Sequence, residues 1–114
     1  MDAHIDPSLV LEAGERSAEI APDSPDDSVE FYLGRDDEND FVYGTELTSR
    51  CHARIEHQHK DFYLVDCSTN GTYVQTEDEQ VTHVHRNKVK LWGQGWISLG
   101  QPLNVGQPIH FRQG

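Results

Sequence analysis

Ala53-Arg54-Ile55-Glu56-His57-Gln58-His59-Lys60-Asp61-Phe62-Tyr63-Leu64-Val65 is the stretch that decides the fold class. Ala53, Ile55 and His57 alternate with Arg54 and Glu56, a polar turn follows, and residues 62–65 resume the apolar pattern. Successive side chains of a strand point to opposite faces, so this alternation predicts a β-hairpin with one buried and one solvated face. The same period recurs on both sides. Val29, Phe31 and Leu33 share a strand face; residues 41–43, 72–75 and 88–91 are further short strands. Residues 88–100 hold two strands around a glycine-containing turn, and Ile109-His110-Phe111 closes the series. Upstream, residues 9–11 and 17–20 flank Ala13-Gly14-Glu15, a first strand turning into a second. No window carries the i, i+3, i+4, i+7 stripe of a helix, so the chain is all-β, a sandwich or barrel of short strands. Residues 21–28 form a proline-broken loop, and residues 76–87 a long polar connection.

With 114 residues, the chain suits one hydrophobic core and a single domain spanning about residues 8–112. Within it, residues 1–28 form an acidic N-terminal segment that supplies the opening strands and loop, and residues 29–114 form the core. The net charge is −11 and is unevenly spread. Residues 1–30 hold nine of the 20 acidic side chains and a single base, Arg16; the rest carries eleven acids and eight bases, a net −3. Nucleic acids and anionic membranes require a cationic footprint, so neither is an expected partner. An anion site in the later part needs arginines that converge locally. Met1 to Pro7 lacks the basic flank and apolar run of a signal peptide, which makes the cytoplasm the expected setting and keeps Cys51 and Cys67 as reduced thiols.

Three polar clusters interrupt the strands. Gly34-Arg35 ends a strand with a residue that allows a tight turn and a planar fork of donors that matches a phosphate. Ser49-Arg50-Cys51-His52 adds a hydroxyl, a second guanidinium and an imidazole. Asp66-Cys67-Ser68-Thr69-Asn70-Gly71-Thr72 is built of residues that turn sharply and hydrogen-bond a backbone. Each cluster alone is commonplace; their order and spacing are not.

Together, Gly34-Arg35, Ser49-Arg50-x-His52 and Asn70-Gly71-Thr72 resemble the forkhead-associated (FHA) signature. Asn39-Asp40, His52-Ala53-Arg54-Ile55, Asp66 and Gly95-Trp96-Ile97-Ser98-Leu99-Gly100 extend the resemblance from Val29 to Phe111. It implies a β-sandwich of two antiparallel sheets, SMAD/FHA-like, whose loops at one end bind a phosphothreonine-containing protein or peptide. It also implies a signalling module within a larger protein, with no catalytic residues, no cofactor and no metal, and it leaves a dimer open. Carried over, Arg35 and Ser49 contact the phosphate, Arg50 adds charge, Thr69 adds a hydrogen bond and Asn70 clamps the peptide main chain. Gly34, His52 and Gly71 shape the loops, and Leu47 lies where the family reads the third residue after the phosphothreonine. Residues 76–87 exceed what the family needs between strands, as a lip or an insertion.

Other readings compete with this one. Ser49, His52 and Asp66 are the components of a hydrolase triad, though no nucleophile elbow accompanies them. His57-x-His59 with His83-x-His85 has the composition of a zinc site. Trp92 and Trp96 offer a second surface, with one of them expected to be exposed, and Cys51 with Cys67 a redox pair or idle thiols. The alternative within the family is an FHA-fold scaffold for phosphate-independent binding or oligomerisation.

Overall fold

The computed structural model describes residues 8–24 and 26–114; residues 1–7 of the acidic segment and Pro25 of the 21–28 loop lie outside the described residues. The chain runs β1 (Leu9–Ala13), β2 (Arg16–Ile20), β3 (Val29–Gly34), β4 (Phe41–Val42), β5 (Ala53–Gln58) and β6 (Asp61–Asp66). It continues with β7 (Thr72–Gln75), β8 (Val81–Val84), β9 (Lys88–Leu91), β10 (Gln94–Leu99) and β11 (Ile109–Gln113). Among the described residues, no helix is long and apolar enough to cross a membrane.

Two sheets form the sandwich, ordered β2-β1-β11-β10-β7-β8 and β4-β3-β5-β6-β9. Every neighbouring pair is antiparallel except β3 with β4, which run parallel. The β5–β6 hairpin is as the alternation predicts, with Ile55 opposite Leu64 and Gln58 opposite Asp61. His59 and Lys60 make its two-residue turn at φ 51° and 74°, both left-handed, the twist that matches flanking strands. Inner faces supply Leu11, Val74, Ile97 and Phe111 from one sheet and Leu33, Ile55, Phe62 and Leu64 from the other, all fully buried. At roughly 1.5–3 kcal/mol for each large apolar side chain removed from water, this layer is the main stabilising term.

Three features differ from the sequence expectation. Residues 76–87 contain β8, which pairs with β7 (Tyr73 opposite His83) and so edges the six-stranded sheet. The glycine turn between β9 and β10 carries the chain from one sheet to the other, because β9 pairs with β6 while β10 pairs with β7 and β11. Both Trp92 and Trp96 are exposed, and Trp96 stands edge-on to His110 at 4.8 Å.

Strand directions sort the loops. β3, β6 and β10 end, and β5, β7 and β11 begin, at one pole, together with the β1–β2 turn. At the other pole Leu9 faces Gln113, and the Gly114 N–H donates to the Ser8 carbonyl at 3.0 Å.

Gly95 on β10 is packed so closely that a Cβ would run into the Gln75 carbonyl and stand 2.8 Å from the Phe111 ring. Gly95→Ala therefore overpacks the sandwich and is expected to lower stability by about 1–3 kcal/mol, read as a reduced urea midpoint with an unchanged slope.

Candidate functional site

His52 sits immediately before β5, with none of its surface exposed. Its Nδ1 accepts a hydrogen bond from the Ser49 N–H at 2.9 Å, and its Nε2 lies 2.8 Å from the Gly71 carbonyl. An acceptor at Nδ1 requires the neutral tautomer with its proton on Nε2, donating to Gly71. The His52 N–H donates to the Leu33 carbonyl and its own carbonyl accepts from Cys67, so β3, the Ser49 loop and the 67–71 loop are joined through one residue. The Gly71 carbonyl also accepts from the Gly100 N–H at 3.0 Å, extending the tie to β10.

Asp66, buried at the end of β6, organises the adjoining loop. Its Oδ1 accepts from the Ser68 and Thr72 hydroxyls, each at 2.7 Å, and its Oδ2 from the Arg86 N–H at 2.8 Å and the Ser68 N–H at 3.2 Å. Burial pushes this carboxyl up, but the donors, led by the Arg86 N–H, outweigh it and hold it below the ordinary carboxylate value. The Ser68 hydroxyl also accepts from the Gly71 N–H at 2.7 Å, closing the turn. Gly71 has φ +85°, and a Cβ there would strike His83 of β8. His83 stacks on Tyr73 at 4.4 Å, its Nε2 3.2 Å from the Asn70 carbonyl. β8 thus backs the binding loop, a role its polar sequence did not signal.

The other expected residues hang on this frame. Gly34 allows the Arg50 carbonyl to pass where a Cβ would stand, and that carbonyl accepts from the Asp36 N–H and from the Asn39 amide. The Arg35 N–H donates to the Ser49 carbonyl at 3.1 Å, and its Nε to the Thr48 carbonyl at 3.0 Å. The Ser49 hydroxyl accepts from the Thr69 N–H at 3.3 Å, and Asn70 Nδ2 donates to the Leu47 carbonyl at 2.9 Å. Arg35, Ser49, Thr69 and Asn70 are therefore brought together. Arg35 lines a cavity with Arg16, Val42, Tyr43 and Gly44, whereas Arg50 lines another with Tyr32, Asp36, Glu38, Asn39 and Cys51.

Thr48 and Asn39 are supports that the motif reading left without a role. The buried Thr48 hydroxyl accepts from the Thr45 N–H and donates to the Leu99 carbonyl, both at 3.0 Å, and the Thr45-x-x-Thr48 spacing is the signal that could have found this turn.

The competing chemistries do not assemble. A hydrolase relay needs His52 against the Ser49 hydroxyl, but both ring nitrogens face backbone groups. His57 is buried, with Nδ1 2.7 Å from the Asp27 carbonyl, and among the described residues no three His, Cys, Asp or Glu side chains are grouped to hold a metal. Cys51 and Cys67 are free, exposed thiols. Burial and then the nearby Cys67 push the Cys51 thiol up, which keeps it protonated and slow to react. Arg54 is already committed, 2.7 Å from Glu56 and 3.9 Å from Glu30.

The FHA domain profile matches residues 31–100. The chain belongs to the FHA family. A search of curated proteins finds no match. Among solved structures, this FHA domain is similar to the first FHA domain of Rv1747 from Mycobacterium tuberculosis, at 20% identity and a TM-score of 0.75, covering 96% of this chain and 99% of that one. It is also similar to the N-terminal FHA domain of Saccharomyces cerevisiae Rad53p in complex with a phosphothreonine peptide (17% identity, TM-score 0.69, 92% and 90% covered). A third is Mycobacterium tuberculosis EmbR in complex with a low-affinity phosphopeptide (21% identity, TM-score 0.63, 92% of this chain and 24% of that one). At these identities the likeness fixes the fold.

Burial pushes the His52 imidazole below its ordinary 6.5, and the Gly71 carbonyl and the Asp66 carboxylate, 3.8 Å from Nε2, offset only part of that. Below pH 6.5 the unfolded chain takes up this proton before the folded one does. The contribution is therefore complete above 6.5 and is lost progressively as pH falls from 6.5 towards the lower folded value. Urea midpoints should drop from pH 7.5 to pH 5.5 with a slope that His52→Gln flattens, and the His52 ring should titrate below 6.5 by NMR. Separately, Asp66→Ala strands several buried donors and should cost about 3 kcal/mol in the same assay.

Proposed function

We propose that this FHA domain is a phosphothreonine-dependent protein–protein interaction module that binds its partner through the loops at one pole of the sandwich. What supports this is that the donors are fixed before any ligand arrives. Arg35, Ser49, Thr69 and Asn70 stand on loops held to one another by main-chain bonds and by His52, so little ordering entropy opposes binding. The phosphopeptides bound to the Rad53p and EmbR domains are consistent with that use of the fold.

Each side chain keeps capacity for a ligand. A guanidinium has five N–H donors, and Arg35 spends its Nε on Thr48, leaving the Nη edge for a phosphate carrying about −1.5 to −2 charges. Ser49 retains its hydroxyl hydrogen, Thr69 its hydroxyl, and Arg50 adds charge from the adjoining cavity. Asn70 retains its amide oxygen and one amide hydrogen, the two groups that clamp a peptide main chain. Exposed Leu47 beside Asn70 favours an apolar residue after the phosphothreonine. The module performs no chemistry itself, serves a larger signalling protein, and works in the cytoplasm, a setting that suits two exposed free thiols.

Titration with fluorescent peptides bearing phosphothreonine, phosphoserine or threonine tests the reading. Binding should require the phosphate, and Arg35→Ala and Asn70→Ala should each weaken it by about tenfold or more, equivalent to about 1.4 kcal/mol. A folded protein that treats phosphorylated and unmodified peptides alike would sink the proposal.

A further inference from the structure

Arg16, the single base among residues 1–30, opens β2 just after the β1–β2 turn. Chain direction brings that turn to the pole of the binding loops, and Arg16 meets Arg35 across a cavity of about 310 Å3. The remaining walls are Val42, Tyr43 and Gly44. None of the five lining residues is acidic, in a chain with 20 acidic and nine basic side chains.

Resting on the phosphothreonine reading above, we infer that Arg16 is a specificity-determining residue, and that the preferred partner carries a second anionic side chain next to its phosphothreonine. Two arginines on the walls of one cavity are like charges, and an anion bound there is attracted to both. Arg35 is tied by its N–H and Nε to the Ser49 and Thr48 carbonyls, and in the reading above it serves the phosphate together with Ser49 and Thr69. Arg16 flanks Arg35 in a cavity whose lining includes Tyr43 but neither Ser49 nor Thr69. Tyr43 keeps that wall rigid, its N–H donating to the Gly34 carbonyl and its hydroxyl to the Gln107 carbonyl, both at 2.9 Å. The flank is suited to reach a neighbouring residue of the ligand rather than the phosphothreonine itself. The chain as a whole is acidic, which disfavours acidic ligand residues where no arginine meets them.

The test scans one aspartate, and in a second series one phosphoserine, through the three positions on each side of the phosphothreonine in an otherwise neutral peptide. Wild-type protein should gain about three- to tenfold in affinity at one position, less in high salt. Arg16→Ala should abolish that gain, Arg16→Lys should restore part of it, and both should bind the neutral phosphothreonine peptide within about twofold of wild type. The two series tell whether the second anion is a carboxylate or a phosphate. Absence of a gain at every position, or an equal loss for neutral and acidic peptides in Arg16→Ala, overturns the inference while leaving phosphothreonine binding intact. Failure of wild type to bind any phosphothreonine peptide removes the underlying function, and is recognised before Arg16 is changed.

Discussion

One neutral imidazole holds the binding pole together. His52 has a donor on one ring nitrogen and a lone pair on the other, and each meets a backbone group of a different loop. No other side chain offers that pair of opposed functions in a rigid ring at this size. Leaving either backbone group buried and unpaired costs about 1–3 kcal/mol. The geometry of Ser49 and of the Asn70 turn is therefore decided inside the protein. Asp66 repeats the logic on a shorter scale, collecting the donors of residues 68, 72 and 86. The side chains that face solvent at this pole inherit their positions from two that do not.

Charge is layered on that frame. The chain is strongly acidic, yet Arg16 and Arg35 line one cavity to which no acidic residue contributes. Arg54, next to the same loops, is neutralised by Glu56 two residues along the strand. Cationic surface is thus sparse and localised, so an anion bound there would feel a strong attraction over a short range instead of a diffuse one.

The sandwich was legible because its core strands alternate. Residues 53–58 and 61–66 bury every second side chain, and the predicted hairpin is the observed one. β8 escaped because of its four residues only Val84 is buried; an edge strand held by its ladder to β7 leaves little apolar trace. The grouping of Arg35, Ser49, Thr69 and Asn70 was implied by the family resemblance, whereas the meeting of Arg16 with Arg35 was not. Nineteen residues and a change of sheet separate them, and only closure of the sandwich makes them neighbours. The Arg54–Glu56 pair, by contrast, is an i, i+2 relation on one strand face and was available to a reader of the sequence.

β1 starts and β11 ends side by side, with Ser8 bonded to Gly114, a full strand length from the Arg35 and Asn70 loops. That seam lies at the pole away from those loops, as the handle of a tool lies away from its edge. A peptide seated on the Arg35 and Asn70 loops would therefore lie clear of the Ser8–Gly114 seam.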